Sequence, residues 1–316
     1  MLMDMTQPPA SDHPSRRYAP PVDLTRYAWL SIAAAIVTIA IKGTAALMTG
    51  SVGLLSDAAE SLVNLVAALV ALLALHVAIQ PPDAGHPYGH SKAEYFSAMV
   101  EGIMIFLAAA FIIVEASRRM LAPAMPEQLG LGLTISVAAS FVNLGVGLVL
   151  LRKGHREGSA TLVADGKHLM TDVMTSAAVL VGVLLVALTH VAILDPIVAL
   201  LAGINICWTG FRLIRDSVNN LMDAALPAEE LAQIDEVLNH YRRHHGTEFH
   251  AIRTRVAGNR SFLSMHVLVP GTWTVTRGHD FCEDLADALI AAVPDLRVDM
   301  HLEPIDDPRS YEDMDI

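Results

Sequence analysis

The chain has 316 residues, of which 53% are hydrophobic and 17% charged, and its mean hydropathy is +0.45. So apolar a composition is rare among soluble proteins of this length. The formal net charge of −12 speaks against nucleic-acid binding, which needs a basic surface. Two cysteines, Cys207 and Cys282, lie one in an apolar run and one in a polar part, which disfavours a disulfide framework or a thiolate metal site.

Residues 1–23 contain five prolines and the pair Arg16-Arg17 but no apolar core with a small-residue cleavage site. They are therefore predicted to be a disordered cytoplasmic segment rather than a signal peptide. About 20 apolar residues are needed to cross the hydrocarbon core of a bilayer. Six segments within residues 24–214 meet this length and form the predicted transmembrane domain: Leu24–Met48, Val52–Ile79, Tyr95–Leu121, Leu129–Leu151, Leu162–Leu188 and Val191–Ile214.

The basic residues of the connecting segments predict the orientation of these spans. If the N-terminus is inside the cell, ten lysines and arginines fall on the inner side, and Arg118 and Arg119 alone fall on the outer side. The positive-inside rule then places both termini in the cytoplasm. We expect an integral, multi-pass protein of a bacterial inner membrane, or another membrane that faces the cytoplasm.

The charge pattern changes near residue 215, and residues 215–305 are predicted to form a cytoplasmic α+β domain. A helix beginning near Pro227 is followed by two alternating strands, an amphipathic helix and a last strand. This order suggests helices on one face of a small sheet. Residues 306–316 form an acidic tail.

Polar residues interrupt the second and fifth spans at helical spacing. Glu60 and Asn64 are four residues apart, as are His168 and Asp172, so each pair lies on one helix face. Ionisable groups in a membrane span are costly and mark an ion pathway or a coordination site. The two pairs are predicted to bind one divalent metal ion together, with a packing role for these buried groups as the alternative. Asp57 lies on the same stripe and is either a metal ligand or a capping residue near the surface.

Several motifs in this order resemble the cation diffusion facilitators. They are Ser-Asp-Ala-Ala-Glu-Ser-Leu-Val-Asn at 56–64, His-Pro-Tyr-Gly-His-Ser-Lys-Ala-Glu at 86–94, Ala-Asp-Gly-Lys-His at 164–168 with Asp172, and Asp-Pro at 195–196. The resemblance implies a homodimeric, proton-coupled exporter of divalent transition metals whose tail domain has a metallochaperone-like, ferredoxin-like fold. It also implies a four-ligand transport site at Glu60, Asn64, His168 and Asp172. Most members have Asp or His at the first of these positions and Asp at the second.

Two further sites near the second span are implied by the resemblance. The loop between spans two and three carries Asp83, His86 and His90, whose family counterparts can bind metal, although a solvated polar loop is equally consistent with these residues. Lys92 resembles a family lysine that pairs with an acid after the sixth span, here Asp223. This pair is either a pivot of the dimer or an exposed salt bridge of little worth.

A last cluster lies in the tail domain, at His250, His266, His301 and Glu303. His301 and Glu303 are two apart on a predicted strand, so their side chains point the same way. Family members bind metal at the matching positions and tighten the dimer by it; unrelated surface histidines are the alternative.

The sequence therefore predicts a proton-coupled efflux transporter of divalent metals. Zinc and iron are preferred, and manganese, cobalt, nickel and cadmium are compatible with the mixed nitrogen and oxygen ligand set. No prosthetic group is expected, and the partners are a second copy of the chain, the bilayer, the metal ion and protons. A membrane-anchored metal sensor or scaffold is the main alternative. A membrane metallohydrolase is disfavoured, because the sequence has no His-Glu-x-x-His run or nucleophile motif.

Overall fold

The apolar part of the chain folds into six long helices. The structure is a computed structural model that describes residues 22–49, 52–121 and 130–312. The helices are α1 (Thr25–Thr49), α2 (Val52–Ala78), α3 (Ala93–Leu121), α4 (Gly130–Glu157), α5 (Ala160–Thr189) and α6 (Leu194–Leu221). Within the described residues, five of them are long and apolar enough to cross a membrane, and α2 adds the shorter apolar stretch Asn64–Ala78. The predicted helical membrane bundle is thus confirmed.

The helices approach one another closely at glycines. A Cβ built on Gly210 of α6 would lie 2.8 Å from the backbone nitrogen of Phe106 in α3. One built on Gly166 of α5 would lie 3.0 Å from the backbone nitrogen of Leu151 in α4. Small residues allow this contact between helix backbones, which is how helices associate when no water drives them together.

The outer surface of the bundle is apolar. Large hydrophobic side chains stay exposed on several helices; examples are Trp29, Leu73, Phe111, Phe141 and Trp208. A continuous apolar surface of this kind is unusual on a soluble monomer and marks contact with a partner or a membrane. Combined with the length of the helices, it indicates that lipid surrounds the bundle.

The α+β part follows α6, which continues beyond Ile214, the predicted end of the last span, to Leu221. Its elements are α7 (Ala228–His245), β1 (Glu248–Ala257), β2 (Arg260–Val269), α8 (Val275–Ala292) and β3 (Leu296–Pro304). The strand order is β1-β2-β3, with β1 antiparallel and β3 parallel to β2. Side chains of both helices and all three strands form one apolar core, as the predicted α+β architecture requires. The predicted acidic tail begins with a 3₁₀ turn, Pro308–Tyr311.

Candidate metal sites

Three of the four predicted transport-site residues meet inside the bundle. His168 Nε2 of α5 lies 2.7 Å from Asn64 Oδ1 of α2, and the Asn64 amide donates to Asp172 Oδ2. Asn64 and His168 are both buried. Nε2 is thus the imidazole nitrogen that faces Asn64. The packing of α2 and α5 therefore brings Asn64 to both residues of the second half-site.

The fourth residue, Glu60, lies in α2 one turn before Asn64, and Asp57 lies about one turn before Glu60 on the same stripe. The side chains of both acids fall outside the described part of the structure. Metal binding by Glu60 therefore remains a prediction from the helical spacing, and so does additional binding by Asp57.

Asn143 of α4 is a neighbour of the site that the sequence analysis did not single out. Its amide donates to Asp172 Oδ2 over 3.2 Å, and its side chain is buried. Asp172 therefore accepts from two amides of two different helices, which fixes one of its oxygens. The feature of the sequence that could have pointed to Asn143 is that it is an amide residue in the middle of an otherwise apolar span.

The start of α5, which carries His168 and Asp172, is held by a buried acid of α3. Ser159 is the N-cap, and its hydroxyl accepts from Leu162 N. The same hydroxyl donates to the carboxylate of Glu94, which also accepts from Thr161 N over 3.3 Å. A carboxylate at this end of a helix satisfies unpaired amides and complements the helix dipole. Glu94 thus sets the position at which α5 begins.

The loop residues Asp83, His86 and His90 form a compact cluster whose ligand-type atoms lie within 4.8 Å of one another. Asp83 Oδ1 is 3.3 Å from His86 Nδ1, and Asp83 Oδ2 is 3.4 Å from His90 Nε2. The loop consists of turns rather than helix, so the two histidines meet by turn geometry and not by helical spacing. Hydrogen bonds from the His86 and Gly85 amides lower the pKa of Asp83, the first being the stronger cause.

Lys92 and Asp223 pair as predicted, at 2.7 Å. The lysine also donates to the carbonyl of Leu221 over 3.3 Å, and Arg255 of β1 approaches Asp223 to 3.4 Å. The hydrogen bond from Lys92 is the main cause that lowers the pKa of Asp223. The pair joins the start of α3 to the segment after α6, and Arg255 extends the contact to the sheet.

The three predicted histidines of the α+β part line up across its sheet; together with Glu303 they are called the tail cluster. His250, His266 and His301 occupy matching positions on β1, β2 and β3. Glu303 Oε2 lies 3.1 Å from His250 Nε2 and 3.2 Å from His266 Nδ1, and these three side chains are mostly buried. His301 lies at the rim, 67% exposed and 3.5 Å from Glu303 Oε1. The structure therefore assembles three of the four predicted residues tightly, with the fourth beside them.

Comparison with known proteins gives matches along almost the whole described chain. Residues 28–222 match the family described as the cation efflux transmembrane domain, and residues 226–305 match the cytoplasmic domain of cation efflux proteins. The uncharacterized transporter sll1263 of Synechocystis sp. is 48% identical over 92% of this chain and 93% of its own length. The cation-efflux pump FieF of Pectobacterium atrosepticum is 30% identical over 86% and 90%.

A solved structure of CzrB in its zinc form, described as a putative zinc transporter, is 40% identical, covering 26% of this chain and 91% of its own, with a TM-score of 0.25. That score is too low for the match to bear on the fold. The two family matches and the two long relatives cover both the helical bundle and the α+β part. The chain therefore belongs to the cation efflux family, the cation diffusion facilitators, and is a multi-pass membrane protein of a family of transporters rather than of enzymes.

Proposed function

We propose that this chain is a proton-coupled exporter of divalent transition-metal cations, foremost zinc or iron, with manganese, cobalt, nickel and cadmium as further candidates. It acts as a homodimer in a bacterial inner membrane with both termini in the cytoplasm. Residues 24–214 carry the ion, and residues 215–305 form the regulatory domain. Membership of the cation efflux family supports the transport of a metal cation, and the match of residues 226–305 to the family's cytoplasmic domain supports the orientation.

The meeting of Asn64, His168 and Asp172 inside the bundle is the observation that carries this proposal. An imidazole, a carboxylate and an amide oxygen, with the Glu60 carboxylate one turn away, form a mixed ligand set for a first-row divalent metal. Two carboxylates with two neutral ligands balance the charge of the ion. Ionisable groups inside membrane spans cost free energy, and they typically mark an ion pathway or a coordination site.

The carboxylates of the site support coupling to protons. His168 Nε2 is the imidazole atom that faces Asn64, and a metal ion bound there needs its lone pair, so the ring proton then resides on Nδ1. A neutral imidazole makes that change without releasing a proton. Asp172 and Glu60 differ, because two close anions remain in apolar surroundings once the metal has left, which favours proton uptake. Metal and protons therefore compete for the same ligands, as an antiporter requires.

The tail cluster supports regulation by cytoplasmic metal. His250, His266 and Glu303 supply two nitrogens and a carboxylate on rigid strands, with His301 beside them. Metal bound there would draw the three strands together and, through the dimer, bias the bundle toward one of its states. The loop residues Asp83, His86 and His90 are proposed as a second, more exposed cytoplasmic metal site.

Transport in liposomes tests the proposal. The purified full chain is reconstituted, and uptake of zinc, iron, manganese, cobalt, nickel and cadmium is measured with and without a pH gradient. We expect gradient-stimulated flux of at least one metal and its loss in Asp172→Asn, which keeps the side-chain shape but removes an anionic ligand. Asp280→Asn, an exposed residue of α8, is the matched control and should retain flux.

The sensor or scaffold alternative makes a different prediction in the same assay. A sensor would bind metal at the tail in wild type and in Asp172→Asn alike but would move none across the membrane. Asn64→Asp tests metal choice, because it restores the carboxylate that most family members have at this position. An unchanged ranking of metals would show that Asn64 does not set selectivity.

A further inference from the structure

Glu101 of α3 is a buried acid that does not belong to the proposed transport site. Its side chain is fully buried, at 0% exposure. Neither carboxyl oxygen has a hydrogen-bond partner among residues 22–49, 52–121 and 130–312. The hydroxyl of Ser97, one turn earlier, is near enough to influence Glu101 but is not in hydrogen-bonding geometry. An ionised carboxylate in such surroundings would be very costly, so the group needs a bound cation or proton.

A second buried acid, Asp165 of α5, lies close enough to act electrostatically on Glu101. Its side chain is 1% exposed. Asp165 Oδ1 accepts from the hydroxyl of Ser31 in α1 over 3.0 Å, whereas Oδ2 has no partner within the described residues. Among the described residues, three of the four oxygens of these two buried carboxyl groups thus have no hydrogen-bond partner, and the two helices that carry them, α3 and α5, pack against each other.

The helices around Glu101 place no basic group against it within the described residues. On α6, Ile214 and the backbone of Gly210 pack against Gly102, the next residue of α3. Lys167 of α5 interacts with Asp216 and Arg212 instead. His76 of α2 acts on Asp23, at the start of α1. The remaining titratable neighbours are Glu94, which is engaged by the α5 N-terminus, and His168, which acts on Asp165.

The two acids lie on the side of the transport site that faces the α+β domain. Asp165, His168 and Asp172 follow one stripe of α5, at spacings of three and four. Asp165 is the member nearest the N-terminus of α5. That terminus adjoins the β1–β2 turn, since residues 159–160 and Asn259 line one cavity. The start of α3 meets the same turn, where Gly258 N donates to Tyr95 Oη over 2.8 Å.

We propose that Glu101 and Asp165 form a proton-binding site, separate from the metal ligands, that relays the counter-transported proton between the transport site and the cytoplasm. The inference rests on the proposed function, which supplies the need for such a proton. The step is a proton transfer alone: the O–H bond of the Glu101 carboxylic acid breaks as an O–H bond to Asp165 forms, and the negative charge moves from Asp165 to Glu101.

A proton fits this site better than a metal ion. The hydrogen-bonding groups described there are the carboxyl groups of Glu101 and Asp165 and the hydroxyl of Ser31, and the nearby His168 Nε2 is engaged with Asn64. A hard cation such as magnesium or calcium needs about six oxygen ligands or several waters, and both side chains are shut off from solvent. One proton on Glu101 neutralises the acid and needs no further ligand.

Infrared spectroscopy tests the proton directly, whether or not the chain transports. The metal-free full chain is measured at neutral pH as wild type, Glu101→Gln and Glu115→Gln. Glu115 is the matched control, a partly exposed glutamate of the same helix that pairs with Arg119. Wild type minus Glu101→Gln should show the carbonyl stretch of a protonated carboxylic acid, and wild type minus Glu115→Gln should not. Absence of this band from the first difference spectrum would overturn the inference.

Transport tests the role of that proton. Glu101→Gln should bind as much zinc per chain as wild type but lose the stimulation of zinc flux by a pH gradient; Glu115→Gln should keep both. Asp165→Asn is the second variant, and it should lose the stimulation as well because it removes the acceptor. Lower zinc stoichiometry in Glu101→Gln would show a metal site and overturn the inference, as would full stimulation in both variants. If a pH gradient does not stimulate zinc flux in the wild-type protein, the proposed proton coupling is refuted, and the relay is refuted with it.

Discussion

Replacement of Ser159 by alanine should destabilise the bundle and weaken the transport site from a distance. The substitution removes the N-cap of α5, which is worth about 1 kcal/mol. It also removes the hydroxyl that donates to the buried Glu94 carboxylate, and a hydrogen bond to a charged group is worth about 1.5–3 kcal/mol. We expect a loss of about 2–4 kcal/mol in the free energy of unfolding. His168 lies on the same helix, so metal affinity at the transport site should fall while the tail cluster is unaffected.

Unfolding by SDS in mixed micelles measures the change in stability, and zinc titration of the full chain measures both metal sites. Ser117→Ala is the control, because the hydroxyl of Ser117 is exposed and donates only to the Ile113 carbonyl of its own helix. It should stay within about 0.5 kcal/mol of wild type. A Ser159→Ala protein as stable as Ser117→Ala would refute the idea that the contact between α3 and the start of α5 holds this helix in place.

Three other predictions address helix packing, the tail cluster and the response to acid. Gly210→Ala should force α3 and α6 apart, since the new Cβ would meet backbone atoms at 2.8–3.0 Å; we expect reduced flux and lower thermal stability. Glu303→Gln should weaken zinc binding at the tail about 10-fold or more while binding at the transport site is kept, as calorimetry of the full chain would show. Asp223→Asn should cost less than about 1 kcal/mol at neutral pH, because the carboxylate paired with Lys92 is half exposed. As the pKa of Asp223 is lowered by folding, its contribution exists above the unfolded pKa and disappears as pH falls below about 4; the variant should lose that part of the acid response in a pH series of unfolding curves.

Control variants and contradicting results can be stated for each of these three predictions. Gly145→Ala places a Cβ where nothing lies within 4 Å, so equal effects of the two glycine changes would contradict the packing argument. Glu236→Gln alters an exposed residue of α7 and should leave tail binding intact. Unaltered zinc binding in Glu303→Gln would remove Glu303 from the proposed site. An Asp223→Asn protein with the acid response of wild type would show that the pair with Lys92 does not contribute to it.

The transport site shows how far local patterns reach. The spacing of His168 and Asp172 and of Glu60 and Asn64 predicted two half-sites, because residues four apart on a helix share a face whatever surrounds them. That Asn64 contacts both residues of α5 follows from how α2 and α5 pack, and the structure confirms that contact. Asn143 was missed because a lone amide in an apolar span does not show which residue it meets; its contact with Asp172 depends on the rotation of α4 against α5.

The tail cluster and the loop illustrate the same limit. The strands of the tail were predictable from alternation, yet the alignment of His250 with His266 and His301 depends on strand register, and β1 contains an irregularity between His250 and Arg253. The loop residues Asp83, His86 and His90 were predicted as one metal site from the resemblance to the family. The structure brings the three side chains together through turns, an arrangement that their spacing in the sequence does not specify, and metal binding there stays a prediction.

The amino-acid sequence by itself determined the membrane class, the helical bundle, the α+β domain and the family, because span length, strand alternation and motif order are properties of contiguous residues. Only the tertiary structure decided which polar groups meet across helices. Glu94 caps α5, and Glu101 and Asp165 are both buried, because α3 packs against α5 at one particular rotation and depth. Such contacts join residues more than sixty positions apart, and interactions at that separation are set by the packing of whole helices rather than by any local pattern.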